Sequence, residues 1–320
     1  SKILKTARQN SFSFMKKQKP TVKKIEIERG LQERIEPEIG AFPLQFLRQE
    51  FSPHTYQVIV WHWHAGPQFC SVIRGNFHFR VLNRTLYLQE GDGIFINAQQ
   101  VHTARPEKDS GQYLCLNLPL HLLGPEGSEL FECCTAPVLY RSAAPALVFR
   151  PSDPSSAEIL HRLKLCCRQA DEAEDALSLP LLANLILLWD ELRKTLSKSD
   201  RRDEEGLMAE ISKNNTRMQK ILLYLKENYT RKLTLKEIAD HIHLSRSECS
   251  RFFHSMTGQT LFHYLNELRI NRSAELLIHT EKSAAEIAYE SGFCSQSYFN
   301  QRFRAAKHMT PEQFRKEKKQ

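Results

Sequence analysis

Two segments 49 residues apart (283 − 234 = 49) carry the same local pattern, Thr234-Leu-Lys-Glu237-Ile-Ala and Ser283-Ala-Ala-Glu286-Ile-Ala. A hydroxyl residue followed three positions later by Glu is a capping box, in which the two side chains satisfy amides left free at a helix start. Each copy therefore opens a helix. The Ile-Ala pair faces inward, and after about two turns the helix ends at a three-residue turn, marked by His243 in the first copy and Gly292 in the second.

A second helix follows each turn. In the first copy it is predicted from about Arg246 to Met256, with Cys249, Phe252, Phe253 and Met256 as its apolar stripe and Ser247, Ser250, Arg251 and His254 opposite. In the second copy Phe299 and Phe303 hold the inner side, and Gln296, Ser297, Asn300, Gln301 and Arg304 point away. Beyond the turn the offset becomes 50 (303 − 253 = 50), so the second copy has gained one residue. Helix, short turn and helix with an outer face of Arg, Gln, Asn and Ser suit a DNA-reading helix-turn-helix. Arg matches guanine O6 and N7, while Gln and Asn match adenine N6 and N7. A plain helical hairpin would show the same caps once. Two copies joined by a helix-like segment from Thr260 to His279 favour the reader.

The span from about Thr216 to Lys316 resembles the DNA-binding domain of AraC/XylS-type transcription regulators. The similarity is carried by Leu233-Thr-Leu-Lys-Glu-Ile-Ala239, Leu244-Ser-Arg-Ser-Glu-Cys-Ser-Arg-Phe-Phe253, Thr257-Gly258, Leu268 to Leu277, Ser291-Gly292-Phe293, Ser297-Tyr-Phe299, Phe303-Arg304 and Thr310-Pro311. The resemblance implies base contacts from Ser247, Ser250 and Arg251, with Arg246 beside them, and from Gln296, Ser297, Asn300 and Gln301. It also implies a linker helix holding the two readers on one face of double-stranded promoter DNA. With two serines and one long donor, the first reader is expected to be the less selective.

Charge agrees with a polyanionic partner. Residues 213–320 hold 19 Lys and Arg against 11 Asp and Glu, an excess of +8 that equals the formal net charge of the chain. Residues 1–36 carry +6 (10 − 4) and residues 37–212 carry −6 (16 − 22). The basic first 40 residues, broken by Phe12, Phe14 and Met15, are read as an arm or a tail. No run of 18 apolar residues and no leader-like N-terminus occurs, so the expectation is a cytoplasmic protein without a membrane partner. Cys133-Cys134 and Cys166-Cys167 are adjacent pairs and the other four cysteines are scattered, which reads as reduced thiols rather than a disulfide or zinc framework.

Between Phe42 and Leu118 the period shortens to two. Short strands are predicted over 56–64, 69–75, 76–82, 85–88, 93–96 and 112–118, with turns at Gly75-Asn76, Asn83-Arg84, Gly91-Asp92 and Arg105-Pro106. Such a series suggests an antiparallel barrel or sandwich. In Trp61-His62-Trp63-His64 the alternation puts both histidines on one face and both tryptophans on the other. With Gln68 and His102 this resembles a cupin, the effector barrel of many AraC-type regulators. In metal-binding cupins two spaced histidines, a Glu and a later His hold a divalent ion. Here His62, His64 and His102 match, while Gln68 stands where Glu is expected.

A neutral amide weakens a metal site, so no cofactor is expected, with a divalent metal at His62, His64 and His102 as the minor alternative. The favoured reading makes His62, His64, Gln68 and His102 donors and acceptors for a polar effector such as a sugar, an amide or a small acid. Histidines merely hydrogen-bonded in a core are the plain alternative.

From Ser155 the period is helical again. Ile159, Leu160, Leu163, Cys166, Cys167 and Ala170 form one stripe, and Leu181, Leu182, Leu185, Leu188, Trp189, Leu192 and Leu196 another, with Pro180 at a helix start. Such a hairpin covers one mouth of the barrel or, as in AraC-type regulators, forms the dimer interface. The polar, charged stretch that follows reads as a linker.

The expected architecture is α+β with two domains: a cupin-like antiparallel β-barrel with a helical hairpin, and an all-α domain with two helix-turn-helix motifs. The expected segments are an arm (1–40), the effector barrel (41–150), the hairpin (151–197), a linker (198–215) and the reader (216–320). The expected function is sequence-specific transcription regulation by a homodimer under a small-molecule effector, with RNA polymerase as partner if it activates. A metal-dependent cupin enzyme tethered to DNA and a constitutive DNA-binding protein with a structural barrel remain the alternatives.

Overall fold

The computed structural model describes residues 44–52, 59–140, 144–172, 178–197 and 204–318. The N-terminal arm, residues 1–40, lies outside them.

The N-terminal half is built on two antiparallel sheets. The larger has the order β1 (Gln45–Phe51), β7 (Gly111–Asn117), β2 (Gln68–Arg74), β5 (Gly93–Ile96) and β8 (Ala146–Phe149). The smaller has the order β4 (Arg84–Leu88), β3 (Phe77–Val81) and β6 (His102–Pro106). The chain changes sheet after β2 at Gly75, whose φ of 79° is the left-handed backbone that glycine adopts without strain. The inner faces enclose one core, with Leu47, Cys70, Val72, Ile94, Ile96, Tyr113 and Cys115 from the larger sheet and Phe77, Phe79, Val81 and Ala104 from the smaller.

The expected barrel is therefore open. Among the described residues no ladder joins the two sheets, and of the expected strand 56–64 the part described, 59–64, makes an isolated antiparallel bridge between His62 and His102. Three further strands depart from expectation. β1 hides in the sequence because Gln45 and Gln49 occupy its inward face beside Leu47 and Phe51. β6 runs through Arg105-Pro106, read as a turn, because an edge strand tolerates proline. β8 has only four residues, too few for a period to register.

After a π-helical turn (Phe131–Thr135) and α1 (Ala136–Leu139), the hairpin of α2 (Ala157–Glu172) and α3 (Leu179–Ser197) packs on the outer face of the larger sheet. Its two apolar stripes meet Phe69, Phe95, Leu114, Leu116 and Phe149 there. The hairpin thus covers a sheet face, neither closing a barrel mouth nor presenting its main stripes outward. Leu179, Ile186 and Leu187 stay exposed on α3.

The C-terminal half begins earlier than expected. The sequence of 198–215 predicts a linker, yet α4 runs over Glu204–Asn228 and Met218, Ile221, Leu222 and Leu225 are fully buried. The charged, polar sequence at its start hides that helix from a reading by apolar period. The first motif is α5 (Leu235–His241) and α6 (Arg246–Thr257), the connector is α7 (Leu261–His279), and the second motif is α8 (Ala284–Glu290) and α9 (Gln296–Lys307), followed by α10 (Pro311–Lys318). Both predicted capping boxes are present, and Ser245 with Glu248 adds a third at the start of α6. The residue gained by the second copy is Cys294. Leu244 and Phe293 make the same hydrogen bond to Ala239 and Ala288, still 49 apart, whereas the caps Ser245 and Ser295 are 50 apart.

Candidate functional site

The reading helices are seated by their apolar sides. In α6, Cys249, Phe253 and Met256 are buried, and in α9, Phe299 and Phe303 are buried. The opposite faces carry Arg246, Ser247, Ser250 and Arg251, and Gln296, Ser297, Asn300 and Gln301, all eight exposed. The connector α7 packs against both α6 and α9, and its Asn266 donates to the Tyr298 hydroxyl at 3.3 Å. A second tie runs from Arg269, which donates to the carbonyl of Tyr229 (2.7 Å) and of Arg231 (2.9 Å) and lies over the Phe293 ring. The two motifs thus share a rigid frame of packed helices.

His243 (φ 57°) and Gly292 (φ 86°) both turn the chain in left-handed backbone. Only the second must be glycine. A Cβ on Gly292 would stand 2.3 Å from the Tyr229 carbonyl oxygen at the end of α4, whereas His243 is exposed.

Inside the β domain His62, His64 and His102 meet, with one ring nitrogen from each within 4.8 Å of the others. All are buried, at 2%, 0% and 2% exposure. Each Nδ1 sits against a backbone carbonyl two residues away: Val60 at 2.9 Å, Gly66 at 2.5 Å and Gln100 at 2.8 Å. That contact makes Nδ1 the protonated nitrogen and leaves Nε2 as the acceptor. The Nε2 atoms of His64 and His102 find no hydrogen-bond partner among the described residues. Burial pushes the His62 imidazole down to about 4 and the His64 imidazole down to about 3, and pushes His102 well below its ordinary value. All three are neutral at pH 7.

Gln68 is held apart in a buried chain of hydrogen bonds. Asn117 donates to Gln45 (2.6 Å), Gln68 donates to Asn117 (2.7 Å), and the Cys70 thiol donates to Gln68 (3.3 Å). Both ends of its amide are occupied. Gln49 on β1 is fully buried, and neither its amide oxygen nor its nitrogen has a partner among the described residues.

The tryptophans alternate outward as the sequence predicts, and their destination is the second domain. Trp61 joins Leu82 and Val101 in one core with Met218, Ile221, Leu222, Leu225, Phe253 and Met256, and Trp63 packs at its margin. Polar contacts reinforce the junction. Asn215 accepts from the Val101 amide (2.9 Å) and donates to the Gln99 carbonyl (2.6 Å), to which Gln219 also donates (2.9 Å). Arg80, projecting outward from β3 over the Trp61 ring, donates to the carbonyls of Thr257 and Met256 at the end of α6. Gly258 makes room, because a Cβ there would collide with the Arg80 guanidinium.

Two family models cover these two halves, an AraC-like ligand binding domain over residues 44–189 and a helix-turn-helix domain over residues 238–317. The chain belongs to the AraC family of transcription regulators. Among its relatives is an uncharacterized HTH-type transcriptional regulator YdeC of Bacillus subtilis, 28% identical over 296 residues, which are 92% of this chain and 99% of that protein. The HTH-type transcriptional activator RhaS of Citrobacter koseri is 30% identical over 156 residues, 49% of this chain and only 54% of that relative. Among solved structures, ToxT from Vibrio cholerae matches at 15% identity and a TM-score of 0.43, covering 86% of this chain and 98% of that one.

In this AraC-family regulator the residues that sequence reasoning missed are those of the junction: Arg80, Gln99, Asn215 and Gln219. Nothing in a strand period or helix stripe marks a polar residue whose partner lies more than a hundred positions away. The Gln45, Asn117 and Gln68 chain had a faint signal, amides at inward positions of strands. Among the described residues no helix is long and apolar enough to cross a membrane.

Proposed function

We propose that this regulator is a one-component switch, in which a small polar effector inside the β domain changes how the helical domain is held and so changes promoter occupancy. The observation that carries the reading is the double-sided segment Trp61 to His64. Its histidines face the interior of the β domain and its tryptophans belong to the core of the DNA-binding half. An effector that favours one arrangement of that segment shifts the equilibrium by its difference in affinity, and by no more.

The polar interior suits sugars, amides, small acids or a metal ion, with His62, His64 and His102 turning Nε2 to it as acceptors, while the Gln68 amide expected beside them is engaged with Asn117 and Cys70. Base contacts fall to Arg246, Ser247, Ser250 and Arg251 in α6 and to Gln296, Ser297, Asn300 and Gln301 in α9. Regulation rather than catalysis is the role of the β domain in this reading. A homodimer forms through the residues left exposed on α3, Leu179, Ile186 and Leu187. The setting is the cytoplasm, with RNA polymerase as a further partner at activated promoters.

The deciding experiment is selection of genomic fragments by the purified protein with and without a metabolite pool, followed by sequencing. A recurring site whose occupancy changes with the pool supports the switch. A recurring site indifferent to every pool and metal tested removes the effector and leaves a constitutive DNA-binding protein.

A further inference from the structure

We propose that Cys70 and Cys115 are a site of oxidative modification, which hydrogen peroxide closes into a disulfide inside the β domain, and that this bond alters promoter occupancy. The site itself stands on geometry. Its effect on DNA rests on the switch reading given above.

Three observations converge on the bond. The first is register: Cys70 of β2 lies directly opposite Cys115 of β7 in the antiparallel ladder. Such partners have Cα atoms about 4.5–5.5 Å apart, inside the roughly 4.4–6.8 Å that a disulfide spans. The second is direction. Both side chains turn to the inner face, packed in one core with Leu47 and Ile94, and their sulfurs stand 3.2 Å apart. Closing to the roughly 2.05 Å of an S–S bond takes about 1.1 Å of travel, a distance within reach of side-chain rotation. The third is proton placement. The Cys70 thiol donates to the Gln68 amide oxygen at 3.3 Å, so between the two sulfurs Cys70 can only accept, and Cys115 supplies that proton.

The reaction balances with the peroxide as oxidant. The Cys70 sulfur attacks one peroxide oxygen, the O–O bond breaks, and the departing hydroxide leaves as water with the Cys70 proton. The Cys115 sulfur then attacks the sulfenic acid so formed, an S–S bond replaces the S–O bond, and the second hydroxide leaves as water with the Cys115 proton. Two thiols are oxidised and one peroxide is reduced. Both sulfurs are buried, so the oxidant enters when the sheets part, and among the described residues no ladder holds those sheets together. Hydrogen peroxide is small and neutral, whereas bulky reductants are kept from the finished bond by the same burial.

The bond consumes the proton that Gln68 accepts. Its amide oxygen loses that donor, and the buried chain from Gln68 through Asn117 to Gln45 must pair anew. Gln68 follows Gly66 and Pro67, whose carbonyls hold the His64 ring and the Leu118 amide. The disturbed amide is thus joined to the end of the segment whose tryptophans enter the core of the helical domain.

The test uses the full chain, reduced with a phosphine, freed of it and exposed to hydrogen peroxide. Expected is a cross-linked peptide pair carrying Cys70 and Cys115, formed more slowly than oxidation of the exposed Cys133 and Cys294. In a Cys133→Ser, Cys294→Ser background, affinity for the selected promoter site should shift by at least about fivefold, the lower end of ordinary allosteric coupling, and return with the phosphine. Adding Cys115→Ala should leave Cys70 as a sulfenic acid that a dimedone probe traps, and should remove the shift. Peptide mapping of the unaltered protein reads the site even where a variant fails to fold.

Both thiols intact after Cys133 and Cys294 are fully oxidised, or a cross-link from Cys70 to any other cysteine, overturns the site and leaves the switch reading to be judged by the metabolite pools. A bond between Cys70 and Cys115 with unchanged DNA affinity overturns its regulatory role.

Discussion

At the residue scale the buried histidines make a signed prediction. Their folded values, about 4 for His62 and about 3 for His64, lie below the unfolded value of 6.5. Below pH 6.5 the unfolded chain takes up protons that the folded chain refuses, so protonation favours unfolding. Stability from this source is full above pH 6.5 and falls as pH drops toward 4, by about 1.4 kcal/mol per pH unit for each such histidine. Urea midpoints at pH 7.5, 6.0 and 5.0 should decline steadily, and the decline should be shallower in His62→Asn. A midpoint constant over that range would mean that the imidazoles take up protons in the fold.

The same scale holds the base readers. Arg251→Ala and Gln301→Ala should each weaken the preferred site by about 1–3 kcal/mol while leaving random DNA nearly untouched. Equal losses on both would make them phosphate contacts. Their exposure was legible from helical period alone, because the apolar stripes of α6 and α9 leave one outward face.

At the element scale the two motifs share caps and turn geometry but differ in what the turn touches. Gly292 is pressed on the Tyr229 carbonyl, so Gly292→Ala combines a strained φ, worth of order 1–3 kcal/mol, with a collision that displaces α8 or the end of α4. Ser283→Ala loses only a cap, at about 1 kcal/mol. Chemical denaturation should rank Gly292→Ala well below Ser283→Ala; equal losses would show that the turn relaxes freely. The repeat made the caps readable, since a capping box is written within four residues. The identity of the residue pressed on Gly292 was not, because it depends on where α4 ends. The strands divide in the same way. β2, β3, β4, β5 and β7 follow apolar alternation and turn residues, whereas β1 places amides inward and β8 is too short to show a period.

At the scale of the whole molecule the junction between the halves governs behaviour. Arg80 closes the end of α6 from the other domain, and Arg105 meets Glu267 of α7 at 3.3 Å. The second pair is largely exposed and contributes little, about 0–1 kcal/mol. Arg80 is the stronger tie, because carbonyls at a helix end otherwise lack donors and the position favours a cation. The double variant Arg80→Ala, Asn215→Ala should unfold in two transitions where the unaltered protein shows one, and should be cut faster by protease between the halves. A single sharp transition in that variant would show that the apolar contacts of Trp61, Leu82 and Val101 suffice.

The sequence by itself determined the double reader, the outward residues of its two helices, the two-faced segment Trp61 to His64 and the change from a β-rich to a helical half. Each of these is written in short-range patterns: caps, periods of 3.6 and 2, and turn residues. Only the tertiary structure decided that the sheets stay open, that the hairpin covers a sheet face, that α4 begins where a linker was expected and that the tryptophans belong to the other domain's core. It also decided that Gln68, grouped by resemblance with His62, His64 and His102, is engaged instead with Asn117 and Cys70. These are pairings between residues tens to hundreds of positions apart. A local pattern fixes which way a side chain points, but not what it meets there.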